Sequence, residues 1–142
     1  MNSNTVVRLL SILVLIFTMG TASAADKLKV VYHVSDLEKV PFVLTNIENH
    51  IKAVGGPENV EIILVAHGPA LQYFQQENND RPFLERIQSL RNKGIEFDAC
   101  GNTMRSQQIT LKDLPEGFVR VDQGGVVRIA ELEHQGYLYI RP

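Results

Sequence analysis

A chain with a single cysteine concentrates its thiol chemistry at one position, here Cys100. Residues 95–99 form an apolar-rich run that leads into it, and Gly101-Asn102-Thr103 follow. Asn102 or Thr103 could cap a short helix around residues 104–108. A cysteine just before a helix start faces free N–H groups and partial positive charge. Both favour the thiolate, which is the reactive species. Arg105, one turn on, adds positive charge to the same neighbourhood. The competing structural reading is a buried cysteine that packs as a small hydrophobe.

Two histidines fall in comparable positions. His67 follows an apolar run and precedes Gly68-Pro69. It could act as a base, donate to a sulfur anion, bind a metal, or simply tie down its loop. His33 stands near the end of an earlier run and could equally pack under the following helix. His50 and His134 fall on helix surfaces and are expected to be solvated. Gly124-Gly125 before a helix could approach an anion, but the pair is not a G-x-G-x-x-G fingerprint and suits a tight turn better. No H-E-x-x-H, C-x-x-C, G-x-S-x-G or P-loop pattern is present, so the sequence gives no positive support for a hydrolase or a dehydrogenase. No cofactor and no dedicated metal site is expected.

The elements that must position these residues alternate between strand and helix. Residues 28–34 read as a first strand, and Ser35 and Glu38 stand at capping-box spacing for the helix after it. Val43, Leu44, Ile47, Ile51 and Val54 follow at helical spacing until Gly55-Gly56-Pro57. Residues 60–66 are nearly all apolar, as a strand buried on both faces should be. A short helix over 70–74 and a polar break at 78–80 lead to a helix marked by Phe83, Ile87 and Leu90. Strands over 95–99, 118–121 and 137–140 complete the pattern. A last helix precedes the final strand, with Val126, Ile129, Ala130 and Leu132 expected inside. The pattern predicts a three-layer α/β/α domain with a five-stranded, mostly parallel sheet. Ligands in such sheets sit outside the carboxyl ends of the strands. That edge is where His33, His67 and Cys100 fall.

The N-terminus reads differently. Arg8, an apolar run over residues 9–17 and Ala22-Ser23-Ala24-Ala25 are the three parts of a secretory signal. The apolar run is short against the roughly 20 residues of a membrane span. Cleavage after Ala24 would leave one domain over residues 25–142, periplasmic and with no membrane segment. Removing Arg8 from 14 basic residues leaves 13 against 16 acidic ones, with no basic run, so nucleic acid is not an expected partner. With one cysteine no internal disulfide can form, and an odd cysteine in an exported chain points to a free reactive thiol or an intermolecular bridge.

Three segments together resemble one family. His67-Gly68-Pro69-Ala70-Leu71, Ala99-Cys100-Gly101-Asn102-Thr103 and the ending from Gly125 to Pro142, with its Gly136-Tyr137-Leu138-Tyr139-Ile140-Arg141-Pro142 close, look like the DsrE/DsrF-like family of sulfur-relay-related proteins. The resemblance covers nearly all of residues 25–142. It implies a five-stranded, mostly parallel sheet with helices on both faces, and homo-oligomers, often trimers or hexamers. It also implies that the cysteine matching Cys100 carries sulfur as a persulfide. The best-understood relay members act in the cytoplasm with partner subunits, whereas this chain carries an export signal.

The expected function is a periplasmic sulfur carrier, transferase-like rather than a turnover enzyme. Cys100 would take sulfur from a donor and pass it to another protein or a small thiol. Gly101, Asn102, Thr103 and Arg105 would stabilise the sulfur anion, and His67, with His33 nearby, would orient or protonate. Two alternatives stand beside it. One is a small-ligand or soft-metal-binding module built from the thiolate and imidazoles. The other is a structural oligomeric subunit without catalysis.

Overall fold

The computed structural model describes residues 27–142; the segment read as an export signal lies outside them. Five strands form one sheet: β1 (Leu28–Val34), β2 (Val60–Ala66), β3 (Glu96–Cys100), β4 (Phe118–Val121) and β5 (Leu138–Ile140), in the order β4-β3-β2-β1-β5. All four pairings are parallel. The helices are α1 (Val40–Ala53), α2 (Ala70–Tyr73), α3 (Arg81–Asn92), α4 (Gly101–Gln107) and α5 (Gly125–His134).

Strand order and right-handed crossovers together distribute the helices. The chain steps from β1 to β4 in one direction, so α1 to α4 fall on one face. It then returns across the sheet to place β5 beside β1, which carries α5 over the other face. The first face holds the main core: Val30, Ile62, Leu64 and Phe97 of the strands pack with Leu44 and Ile47 of α1, Leu71 of α2, and Ile87 and Leu90 of α3. Each such side chain contributes about 1.5–3 kcal/mol by leaving water. The second face is smaller, with Val31, Ile63 and Val65 under Ile129, Leu132 and Tyr137. β2 lies at the sheet centre with both faces covered, which is why its sequence is an unbroken apolar run apart from Glu61.

Local details depart from the expectations in four places. The Ser35–Glu38 capping box does not form. Leu37–Lys39 make a 3₁₀ turn and the α-helix begins at Val40, where Pro41 suits the first turn. Ser35 instead accepts from Arg141 at 2.8 Å. Neither Asn102 nor Thr103 caps α4, because that helix starts earlier, with Cys100 itself as N-cap residue. Val126 and Ala130 face outward. The inner side of α5 is Gly125, Ile129 and Leu132, one turn apart, and Val126 is 70% exposed. His50 is partly covered rather than solvated: its Nδ1 lies 2.9 Å from the Tyr32 hydroxyl. Among the described residues no helix is long and apolar enough to cross a membrane.

Candidate functional site

β3 delivers Cys100 to the carboxyl edge of the sheet, on the face that α5 covers. The residue is only 5% exposed. Its sulfur nevertheless borders a pocket of about 260 Å³, lined by His67, Asn102, Thr103 and Gln123 and closed on the far side by Gly124 to Val127. Access to the sulfur is therefore through this pocket.

Burial alone would push the Cys100 thiol up. The Thr103 hydroxyl and the backbone N–H groups of Thr103, Gly125 and Asn102 outweigh it and hold the thiol below its ordinary value. Three elements contribute to this cradle. Asn102 and Thr103 come from the first turn of α4, and Gly125 opens α5. The Thr103 hydroxyl also accepts the Gly68 N–H at 2.9 Å, which ties the β2 loop to the same point. The absence of a side chain at Gly125 lets the three elements close up, since a Cβ there would sit tightly, 3.3 Å from His67 Cβ and from Val65 Cγ1 and 3.4 Å from Cys100 Cβ. Gly124, at φ +94°, makes the turn that aims the Gly125 N–H at the sulfur.

The sequence-predicted residues separate into two groups. Cys100, Gly101, Asn102, Thr103 and His67 assemble at the pocket or its wall. Gly101 allows α4 to pass β4, where a Cβ would stand 2.9 Å from the Val121 carbonyl oxygen. Arg105 is not at the thiol: it lies in the last turn of α4, is exposed and turns to the Asn102 side-chain oxygen. His33 does not border the pocket directly. It is buried on the same sheet face and meets His67 Nε2 to Nε2 at 2.6 Å, while its Nδ1 lies 2.7 Å from the Tyr139 hydroxyl. Burial first, then the neighbouring His67 and Arg141 charges, push His33 down to about 4 against the opposing effect of Asp36. Burial and Arg141 lower His67 as well, again opposed by Asp36. Both shifts favour the neutral imidazole.

Three contributors were not singled out as site residues. Gly125 belongs to a glycine pair whose sequence suits a tight turn better than the anion approach it also allows. Tyr139 carried no signal, because its role follows from β5 pairing with β1. The third is the ion pair beneath the site. Asp98, two residues before Cys100 on the same face, is fully buried and bonds Arg128 Nε of α5 at 2.7 Å; Arg128 also reaches Glu96 at 3.0 Å. Among the described residues Asp98 Oδ1 has no hydrogen-bond partner. Burial outweighs the Arg128 hydrogen bond and raises Asp98 to about 6. The pair fastens α5 to β3 one turn beyond the Gly125 contact with Cys100.

Among the described residues no group of three or more His, Cys, Asp or Glu could hold a metal ion. Cys100 and His67 alone supply two donors, short of the three or four protein ligands usual for zinc.

Comparison with known proteins places this geometry. The fold matches a solved structure from Methanobacterium thermoautotrophicum, MTH1491, described as a protein of unknown function. The TM-score is 0.70 and the identity 28%, over 82% of this chain and all of that one. It also matches the YchN protein of E. coli, with a TM-score of 0.62 and 14% identity over 81% of this chain and 99% of the other; at that identity the likeness concerns the fold alone. No curated protein matches. The family model described as DsrE/DsrF-like matches residues 14–142, and on that match the chain belongs to the DsrE/DsrF-like family.

Proposed function

We propose that this protein is a sulfur carrier that accepts a sulfane sulfur on Cys100, holds it as a persulfide and hands it to a thiol acceptor. The observation that carries this reading is the cradle around the sulfur. Three N–H groups and a hydroxyl converge on a thiol that is otherwise buried, and they outweigh its desolvation and hold it below the ordinary thiol value. The same donors suit the loaded persulfide, whose outer sulfur lies one atom further into the pocket. A volume of about 260 Å³ admits a small persulfide or the cysteine of an extended peptide. The family's relation to sulfur-relay proteins agrees with this chemistry.

Two further features belong to the proposal. The N-terminal pattern supports export, with the periplasm as the site of action. A periplasmic fraction would then contain a chain beginning at Ala25, and retention of residues 1–24 would overturn it. Assembly as a homotrimer or hexamer is the second, and light scattering of the purified domain tests it. Exposed Val126 and Val127 beside the pocket mouth offer apolar surface for such contacts or for a delivering partner.

The central test is intact mass spectrometry after treatment with cysteine persulfide. The expected result is a gain of one sulfur, about 32 Da, reversed by reductant and absent in Cys100→Ser. A thiol that gains no sulfur, and resists alkylation until the protein unfolds, would make Cys100 a packing residue.

A further inference from the structure

The pocket is connected to solvent by a second route, one that no water molecule need follow. It runs through His67, His33 and Tyr139. The two imidazoles are joined Nε2 to Nε2 at 2.6 Å. That distance is shorter than any face-to-face ring spacing, and the ring planes differ by 19° with centroids 4.7 Å apart, so the rings meet head to head and nearly coplanar. The outer end of the chain is the Tyr139 hydroxyl, 2.7 Å from His33 Nδ1, on a residue 43% exposed. The inner end is His67, which lines the pocket together with Cys100; the contact with His33 engages its Nε2 and not its Nδ1.

A hydrogen-bonded pair of neutral imidazoles has only two proton arrangements. In the first, Tyr139 O–H donates to His33 Nδ1, His33 Nε2–H donates to His67 Nε2, and His67 Nδ1 carries a proton. In the second, His67 Nε2–H donates to His33 Nε2, His33 Nδ1–H donates to the Tyr139 oxygen, and His67 Nδ1 is bare. Of the charged groups facing the pair, Arg141 opposes an added positive charge and Asp36 favours one, and the two are themselves joined, with Arg141 donating to Ser35 and Asp36 at 2.8 and 3.2 Å. Burial favours the neutral form of both rings.

We propose that Tyr139, His33 and His67 form a proton wire that makes the site an acid when it loads sulfur and a base when it unloads. The proposal rests on the carrier reading of Cys100. In loading, the Cys100 thiolate attacks the outer sulfur of a persulfide R–S–S–H. The new Cys100 S–S bond forms as the donor S–S bond breaks, and the electron pair leaves on R–S⁻. His67 Nδ1–H protonates R–S⁻ to R–S–H. His67 Nε2 takes the His33 proton, His33 Nδ1 takes the Tyr139 proton, and water replaces that of Tyr139. The wire is now in its second arrangement. In unloading, bare His67 Nδ1 accepts the proton of an acceptor thiol R′–S–H. The resulting thiolate attacks the outer sulfur of Cys100–S–S–H, giving R′–S–S–H and the Cys100 thiolate. The protons shift back and Tyr139 returns one to water. Each half-reaction resets the wire for the other, and no external oxidant or reductant is needed. His67 would touch the reacting sulfur; His33 and Tyr139 act through it.

Tyr139→Phe keeps the ring on an exposed edge strand and removes only the hydroxyl. Its reaction is compared with wild type using two small probes. Cysteine persulfide expels an alkylthiolate that needs a proton. Methyl methanethiosulfonate expels a sulfinate that leaves as the anion. Tyr139→Phe is expected to slow sulfur loading from cysteine persulfide by roughly 10- to 100-fold, near the lower range for a positioned general acid, and to leave the thiosulfonate rate within about twofold. His33→Gln should reproduce the split. Equal slowing with both probes, or no slowing with either, overturns the wire while leaving sulfur loading of the wild type intact. A wild type that reacts with the thiosulfonate but takes no sulfur from the persulfide overturns the carrier reading and the wire with it.

Discussion

Replacing Thr103 by Val keeps the shape of the side chain and removes the hydroxyl that donates to Cys100 and accepts from the Gly68 N–H at 2.9 Å. A hydrogen bond to a charged group contributes about 1.5–3 kcal/mol. It is made to the thiolate rather than the thiol, so its loss lowers the thiolate fraction about 10- to 100-fold at a pH below the thiol's midpoint, at about 1.4 kcal/mol per tenfold. The freed thiolate is also more nucleophilic, with a Brønsted slope of about 0.4–0.5, which returns about half of that loss on a logarithmic scale. Alkylation by iodoacetamide at low pH should therefore slow about 3- to 10-fold in Thr103→Val. Above the midpoints of both proteins, where each is fully ionised, the variant should react faster than wild type by a similar factor. The two rate–pH profiles must cross. Thr103→Ser should follow the wild-type curve, because it restores the hydroxyl. Superimposable profiles would show that Thr103 does not stabilise the thiolate. A constant ratio at every pH would mean that the substitution changed access to the pocket and not the charge on sulfur.

The ion pair under the site and the glycine beside it make three further expectations. Asp98 is raised in the folded state to about 6, above its unfolded value, so its contribution to stability is full below the unfolded range and is lost as pH rises through about 6. Thermal unfolding of the wild type should register that loss between about pH 4 and 6, and Asp98→Asn should remove the slope. Arg128→Met strands the Asp98 carboxylate in the interior and should cost about 3–5 kcal/mol at pH 7 by chemical denaturation, partly recovered at pH 5, where Asp98 takes up a proton. Gly125→Ala forces a methyl within 3.3–3.4 Å of His67, Val65 and Cys100. It should cost about 1–3 kcal/mol and move the Gly125 N–H off the sulfur, so that the alkylation profile shifts to higher pH. A profile unchanged in this variant would remove Gly125 from the cradle.

Much of this architecture is written locally. The apolar runs at 28–34, 60–66 and 95–99, and the helical spacing of Val43, Leu44 and Ile47, determine element types through nearest-neighbour periodicity. Parallel strands joined by helices then bring His33, His67 and Cys100 to one edge, whatever the strand order. That Cys100 would precede a helix and meet its N–H groups could be read from Gly101-Asn102-Thr103 alone, although the start of that helix lay earlier than either expected cap. The resemblance carried by the Cys100 segment and the closing residues correctly anticipated the fold.

The rest depended on which distant segments meet. Gly125 reaches the sulfur because the last crossover returns over the opposite face, and its contribution is a backbone N–H that every residue but proline possesses. Tyr139 meets His33 because β5 pairs with β1 rather than with β4, a long-range pairing that no local pattern encodes. Arg105 looked suitable by spacing, yet a one-turn offset on a short helix turned it toward Asn102. Asp98 sits in a run that reads as a buried strand, and only Arg128, thirty residues later, accounts for its charge. Sequence by itself determined the elements and the edge at which the chemistry gathers, because those follow from short-range pattern. The cradle and the wire were decided by tertiary structure, because both are assembled from groups whose neighbours are set by strand order and crossover hand.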